Sequence, residues 1–132
     1  MINLKLDHVG IVTDDIVKTA ATYEKLGYKK GDTVVDDIQK VKICFLTNDT
    51  SKIELVEPAS EKSSVNKLLK KNGVSPYHLC YEVDDIEKTF DELVEEGFIP
   101  LFRPVEATAF NNRLICYIYH KTTGYIELVN KD

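Results

Sequence analysis

An internal repeat extends through most of the 132-residue sequence. When the chain is displaced by 70 positions, His8 aligns with His78, and the match continues without a gap as far as Gly27 on Gly97. Further along, the run Ile53-Glu54-Leu55-Val56 returns as Ile126-Glu127-Leu128-Val129. Repetition at a fixed period is the mark of one supersecondary unit used more than once. The chain is therefore expected to fold as two copies of a single module.

The residue pattern predicts the content of each module. Apolar alternation predicts a strand over 4–12, and the spacing of Ile16, Ala20, Tyr23 and Leu26 predicts a helix with these four residues on its buried face. Asp14-Asp15 is a typical helix cap and Gly27 a typical helix end. Three further strands are predicted over 33–36, 41–46 and 52–57. The order strand, helix, three strands defines an α+β module.

The same order restarts after a short predicted helix that Ser63-Ser64 would cap. The second module is predicted to contain a strand over 77–83, a helix with Val94 among its buried residues, and three later strands. Its longest irregular stretch is expected over 104–112. Because neither module can bury its sheet alone, we expect one domain over 1–132, made of modules at about 1–60 and 74–132.

Composition excludes several classes of function. A net charge of -5 and a pI near 5.2 argue against a nucleic-acid partner, which would require a basic face. The sequence has neither a membrane-length apolar run nor a signal-peptide pattern. Cys44, Cys80 and Cys116 lie in apolar strand-like runs without paired spacing, so buried free thiols are expected. We therefore expect a cytoplasmic protein that acts on a small molecule.

One histidine and one glutamate recur in each module at matching places. His8 and His78 lie in predicted strands, and Glu54 and Glu127 interrupt otherwise apolar strands. Taken singly, such a histidine is typically a hydrogen-bonded structural residue, and such a glutamate typically faces solvent. Their joint recurrence favours one divalent metal ion held by all four, with Ni, Co, Mn, Fe and Zn all compatible. The remaining histidine, His120, is predicted to lie in a solvated turn.

Four segments resemble the vicinal oxygen chelate superfamily, which includes glyoxalases, bleomycin resistance proteins and dioxygenases. They are Leu6-Asp7-His8-Val9-Gly10-Ile11-Val12, Lys52-Ile53-Glu54-Leu55-Val56-Glu57-Pro58, Tyr77-His78-Leu79-Cys80-Tyr81-Glu82-Val83-Asp84-Asp85-Ile86 and Gly124-Tyr125-Ile126-Glu127-Leu128. Within the superfamily they are most similar to glyoxalase I and methylmalonyl-CoA epimerase. The resemblance implies paired βαβββ modules that curl a sheet around a metal cleft, with His8, Glu54, His78 and Glu127 as ligands.

The resemblance also implies a chemistry. The family uses its metal to chelate two neighbouring substrate oxygens and to stabilise an enediolate while a carboxylate moves a proton. Glu127 is the expected base, with Glu54 as its counterpart. Asn112 and Arg113 stand where the epimerases have a basic loop that contacts substrate, although a solvated arginine is an equally good interpretation of Arg113.

Three functions remain open. A glyoxalase I-like lyase or isomerase is the first, although Val12 and Pro58 replace the arginine and asparagine with which bacterial glyoxalases bind glutathione. A methylmalonyl-CoA epimerase-like enzyme is the alternative. The epimerases have an additional glutamate where Ile38 stands here, and Asp36 or Asp37 could replace it only after a loop shift. The third is a protein that sequesters a ligand, such as an antibiotic, without catalysis.

Analogy with the family predicts a homodimer. The sequence leaves open whether the metal cleft would form within one chain or across the dimer.

Overall fold

The computed structural model describes residues 2–132. In these residues the chain forms nine β-strands, three α-helices and one short 3-10 helix, which confirms the expected α+β class. The chain divides into two compact units. The N-terminal unit is His8–Tyr77, and the C-terminal unit combines residues 2–7 with His78–Asp132. No helix in residues 2–132 is long and apolar enough to cross a membrane.

The N-terminal unit contains the predicted order of strand, helix and three strands. Its elements are β1 (Lys5–Val12), α1 (Ile16–Lys25), β2 (Lys29–Asp36), β3 (Val41–Asn48), β4 (Ser51–Pro58) and α2 (Val65–Asn72), with the first residues of β1 assigned to the other unit. The strands are ordered β2-β3-β4-β1. β1 is parallel to β4, and the other neighbours are antiparallel.

The C-terminal unit repeats the order of strand, helix and strands, with one further strand and a 3-10 helix added. Its elements are β5 (Ser75–Val83, mostly in this unit), α3 (Ile86–Glu95), β6 (Ile99–Pro100), β7 (Val105–Ala107), a 3-10 helix (Thr108–Phe110), β8 (Arg113–His120) and β9 (Gly124–Asn130). The strands are ordered β5-β9-β8-β6, and β7 also pairs with β8. The predicted irregular stretch over 104–112 is therefore wrong. Because Val105 and Glu106 are both exposed, β7 has no alternation that the sequence could reveal.

In each unit the long helix covers one face of its sheet. Ile16 and Ala20 of α1 pack with Cys44, Leu46 and Leu55 in the N-terminal unit. The apolar stripe of α3 packs in the same way on β8 and β9 in the C-terminal unit. This burial of apolar area is the main stabilising contribution to each unit.

Two residues predicted on the buried helix faces are exposed instead. Leu26 is 65% exposed because it is the C-terminal cap of α1, beyond the last full turn. Val94 is 37% exposed because it lies at the margin of the stripe formed by Ile86, Phe90 and Leu93. Helical spacing alone does not distinguish the centre of a buried stripe from its border.

The other face of each sheet carries the polar residues of interest. Register partners share a face and successive residues alternate, so Phe45 and its partner Glu54 lie opposite the face that packs on α1. Tyr117 and its partner Glu127 lie opposite the face that packs on α3. We call these surfaces the site faces of the two units.

Cap residues and strand residues together hold the start of both long helices. Asp15 and Asp85 accept N–H bonds from Lys18 (3.0 Å) and Lys88 (3.2 Å), which confirms the predicted aspartate caps. Glu57 Oε1 at the end of β4 also accepts the N–H of Ile16 at 2.8 Å. These bonds satisfy helix N–H groups that have no partner within the helix.

The C-terminal unit repeats this second bond with a different residue. Asn130 Oδ1 at the end of β9 accepts the N–H of Ile86 at 2.9 Å. The predicted cap of α2 is wrong in detail, because Ser64 precedes the helix without a side-chain cap bond. Ser63 Oγ instead donates to the Gln39 carbonyl at 3.2 Å.

Replacing Asn130 with alanine tests the contribution of the bond between β9 and α3. We expect Asn130→Ala to lower the free energy of unfolding by about 1 kcal/mol, because the Ile86 N–H loses its acceptor. Asn130→Asp keeps an oxygen at this place and serves as the control. Urea denaturation of the three proteins measures the effect, and equal stability of Asn130→Ala and wild type would contradict it.

Candidate metal centre

The N-terminal unit buries a histidine beside a glutamate on its site face. His8 Nε2 lies 3.4 Å from Glu54 Oε1. The two residues are 1% and 3% exposed. Gly10 is the register partner of Glu54 on the parallel strands β1 and β4, so His8 lies two residues earlier on the same face. This placement brings the imidazole and the carboxylate together.

The C-terminal unit builds the same pair in the same way. His78 Nε2 lies 3.0 Å from Glu127 Oε1, and the residues are 4% and 3% exposed. Cys80 is the register partner of Glu127 on the parallel strands β5 and β9, so the histidine again precedes the partner by two residues. The repeat therefore reproduces the geometry of the pair as well as its residue types.

Each pair rests against an aromatic ring that the sequence analysis did not assign to the site. The rings of Phe45 and His8 form a T-shaped contact at 5.4 Å between centroids, and those of Tyr117 and His78 form another at 5.5 Å. The internal repeat could have predicted both rings. The runs Ile43-Cys44-Phe45-Leu46 and Ile115-Cys116-Tyr117-Ile118 are similar and place the rings at equivalent positions. The rings add apolar surface beside each imidazole.

The burial of both glutamates limits what they can do. A carboxylate removed from water is costly unless a hydrogen bond, a positive charge or a cation compensates it. The interpretation of Glu54 and Glu127 as solvent-facing strand residues is wrong, because both are buried. Each unit thus presents an imidazole nitrogen and a carboxylate oxygen, donors that suit divalent transition metals. The union of the two pairs around one ion stays a prediction.

The Arg113 side chain binds other residues of the C-terminal unit. Its guanidinium donates to the carbonyls of Phe110 (3.2 Å) and Asn130 (3.3 Å), and lies 3.7 Å from Glu82 and 3.4 Å from Asp132. With a side chain 18% exposed, it is not the solvated arginine of the second interpretation.

Asn112 lies beside Arg113 in the turn that precedes β8. Its backbone is left-handed (φ 64°), and its N–H donates to the Ala107 carbonyl at 2.9 Å. Its side chain is exposed. Substrate binding by Asn112 and Arg113 stays a prediction.

His120, the third histidine, lies outside the two histidine–glutamate pairs. His120 is the last residue of β8 and is half-buried, with its ring 5.1 Å from the Phe98 ring. Its Nδ1 lies 2.6 Å from Thr122 Oγ1, so the assignment of His120 to a solvated turn is wrong.

In the turn between β2 and β3, Asp36 Oδ1 accepts the N–H groups of Ile38 and Gln39, both at 2.9 Å. Ile38 itself is 90% exposed. The Asp36 carboxylate therefore stabilises the turn.

The cysteines are buried and free, as predicted. Burial raises the pKa of the Cys116 thiol to about 12, and the charges of Glu127 and Glu87 add to the rise. Burial also raises the pKa of the Cys44 thiol. Since only the thiolate is an effective nucleophile, neither cysteine is a candidate for covalent catalysis near neutral pH.

The raised pKa of Cys116 makes stability depend on alkaline pH. Above its ordinary value of 9.0 the unfolded thiol loses its proton, whereas the folded thiol keeps it up to about 12. The folded state then binds more protons, so this contribution is complete below pH 9.0 and is lost as pH rises towards about 12.

We expect wild type to lose about 1 kcal/mol more stability than Cys116→Ala between about pH 8 and about pH 10. Urea denaturation at the two pH values measures the difference. Comparing the change in the free energy of unfolding with pH, rather than the free energy itself, removes the cost of the cavity that alanine leaves. An equal change in the free energy of unfolding with pH in the two proteins would contradict the raised pKa of Cys116.

Comparison with known proteins identifies relatives over most of the chain. The profile of the Glyoxalase/Bleomycin resistance protein/Dioxygenase superfamily matches residues 7–117. The ethylmalonyl-CoA/methylmalonyl-CoA epimerase of Cereibacter sphaeroides is 37% identical over 95 residues, which cover 70% of this chain and 71% of that protein. The mitochondrial methylmalonyl-CoA epimerase of Homo sapiens is 29% identical over 122 residues, which cover 91% and 69% of the two chains.

Solved structures give the same result for the fold. A hypothetical protein from Bacillus halodurans matches with a TM-score of 0.88 at 30% identity, covering 99% of this chain and 96% of that one. Methylmalonyl-CoA epimerase from Mycobacterium tuberculosis matches with a TM-score of 0.87 at 27% identity, covering 100% and 93%. A variant of the Streptomyces coelicolor epimerase in complex with 2-nitronate-propionyl-CoA matches with a TM-score of 0.86 at 27% identity, covering 98% and 99%.

These relatives favour the epimerase alternative and give no specific support to a glyoxalase I-like lyase. The α+β class, the repeated module and the matching residues agree with the fold of the vicinal oxygen chelate proteins. The chain belongs to the Glyoxalase/Bleomycin resistance protein/Dioxygenase superfamily.

Proposed function

We propose that this protein is a divalent-metal-dependent epimerase that moves a proton on the carbon beside the thioester carbonyl of an acyl-CoA. The observation that carries the proposal is the buried histidine–glutamate pair that both units build with the same register. The acyl-CoA class follows from the epimerases among the relatives. Methylmalonyl-CoA is the first substrate to test.

The two pairs are proposed to hold one metal ion together. His8, Glu54, His78 and Glu127 would be its ligands, and their nitrogen and oxygen donors fit Ni, Co, Mn, Fe or Zn. The fit rests on the burial of all four residues, because a cation would compensate carboxylates that have left water. When bound, such an ion supplies Lewis-acid stabilisation of negative charge on a substrate oxygen.

The glutamates are proposed to carry the proton. A carboxylate oxygen of Glu127 takes the proton from the α-carbon, and the electron pair of the broken C–H bond passes to the thioester oxygen as an enolate. Inversion requires that a proton return to the opposite face of that carbon. Glu54, the counterpart of Glu127 in the repeat, is the proposed donor, so Glu54 holds a proton while Glu127 is ionised, and inversion exchanges these two states. General acid–base steps of this kind contribute about 10²–10⁴-fold to rate.

The turn between β2 and β3 supports this assignment of the second proton carrier. Ile38, which stands where the family's epimerases have their additional glutamate, has no group that transfers protons. The Asp36 carboxylate accepts two backbone N–H bonds in the same turn. A carboxylate on the site face of the N-terminal unit is then the better candidate.

A glyoxalase I-like isomerase is the second candidate, because Ile38 stands in place of a glutamate that this reaction does not need. That reaction needs only the metal and its ligand carboxylates, so the absence of a glutamate at this turn does not affect it. A sequestering protein is less favoured, because two buried carboxylates give no benefit to an apolar binding cleft. The homodimer and the single domain over 1–132 remain proposals by analogy and by the need to bury both sheets.

Incorporation of solvent deuterium tests the proposed epimerase. The Co- or Mn-loaded protein is expected to exchange the α-hydrogen of methylmalonyl-CoA in D₂O, as followed by NMR or mass spectrometry. We expect Glu127→Gln and Glu54→Gln to lower the rate of epimerisation by about 10²-fold or more.

A methylglyoxal–thiol hemithioacetal is assayed in parallel. Exchange without loss in either variant would remove the assigned proton carriers. Turnover of the hemithioacetal alone would favour the second candidate, and no reaction with either substrate would contradict both enzymatic proposals.

A further inference from the structure

We propose that Lys52 binds a carboxylate carried by the acyl group of the substrate. The inferred substrates are acyl-CoA thioesters that carry a negative charge on the acyl part itself, as in a malonyl thioester. The inference deepens the proposed function and rests on it for the acyl-CoA class. It concerns a residue that the metal site and the proton transfer do not use.

Lys52 lies on the site face of the N-terminal unit. It precedes Glu54 by two residues on β4, so their side chains share a face, and its register partner on β3 is Thr47. Lys52 Nζ lies 5.6 Å from the centroid of the Phe45 ring. That ring in turn lies 5.4 Å from the His8 ring. An ammonium, an aromatic ring and an imidazole thus follow one another beside Glu54.

The repeat shows that this ammonium is not a general feature of the module. Glu127 corresponds to Glu54, so Tyr125 corresponds to Lys52. Tyr125 pairs with Tyr119 in the register, and their ring centroids are 5.0 Å apart. The equivalent place on the site face therefore carries a cation in one unit and a neutral aromatic ring in the other.

This difference matters because the histidine–glutamate pairs are alike. Two equivalent pairs cannot by themselves orient a substrate whose two ends differ. A cation on one site face distinguishes the units, and it attracts a carboxylate that lies beside the reacting carbon. The attraction also opposes the repulsion that an anionic acyl group would meet beside a buried glutamate.

The chain offers a matched control for the charge of Lys52. Lys42 belongs to the same sheet, and its partner in the register is Glu57, which lies 3.5 Å from its Nζ. Because Lys42 alternates with Ile43 and shares its face with Cys44, it lies on the face that packs on α1. Removing Lys42 changes the net charge of the unit equally and leaves the site face intact.

Calorimetric binding of two thioesters to the Mn-loaded protein tests the inference. Malonyl-CoA and acetyl-CoA differ by a single carboxylate. We expect wild type to bind malonyl-CoA more tightly, and Lys52→Met to lower this preference about tenfold, with little change in acetyl-CoA affinity. Lys52→Arg is expected to restore most of the preference, and Lys42→Met to leave it unchanged.

The outcomes separate this inference from the proposed function. An unchanged preference in Lys52→Met, an equal loss in Lys42→Met, or no binding of either thioester by wild type would overturn the role of Lys52. A preference that depends on Lys52 in a protein that does not exchange the α-hydrogen of methylmalonyl-CoA would support Lys52 and reject the epimerase. Exchange with an unchanged preference would reject Lys52 alone.

Discussion

The burial of two carboxylates, Glu54 and Glu127, is the constraint that shapes this structure. A buried carboxylate needs compensation, and each glutamate has an imidazole within 3.4 Å or less. That contact depends on the parallel pairing of the first and last strands of each module, which sets the histidine two residues before the partner of the glutamate. The helix on the opposite face buries the apolar residues of the same strands, so the core and the site are built by alternate residues of one sheet.

Duplication conserves geometry more closely than residue identity. Both units join the end of their last strand to the start of their long helix by a side-chain bond, but one uses Glu57 and the other Asn130. Both place a ring against the histidine, but one ring is Phe45 and the other Tyr117. The repeated bonds have a structural role that several residues can fulfil. The proposed role of Lys52 rests on a different kind of difference, because Tyr125 stands at the equivalent place in the C-terminal unit.

Much of this could be predicted because the signals were repeated. Period-two alternation predicted the strands, and helical spacing with its capping residues predicted the helices. The repeat predicted the four candidate ligands, because a histidine and a glutamate recur at matching places in apolar strands. The strand over 105–107 could not be predicted, because two of its three residues, Val105 and Glu106, are exposed and show no alternation. The contacts of Arg113 with Asn130 and Asp132 could not be predicted either, because they join residues far apart in the sequence. Leu26 was misplaced because periodicity does not locate the last turn of a helix.

The central proposal is that the two equivalent pairs hold one metal ion, and the metal content per chain tests it most directly. Elemental analysis of untagged protein, as isolated and after incubation with Ni, Co, Mn, Fe or Zn, should give about one ion per chain. Loss of either half, in His8→Ala or in His78→Ala, should abolish tight binding, because neither pair alone provides enough ligands. A chain that binds no divalent ion under any of these conditions, or that keeps its ion in both variants, would contradict the account.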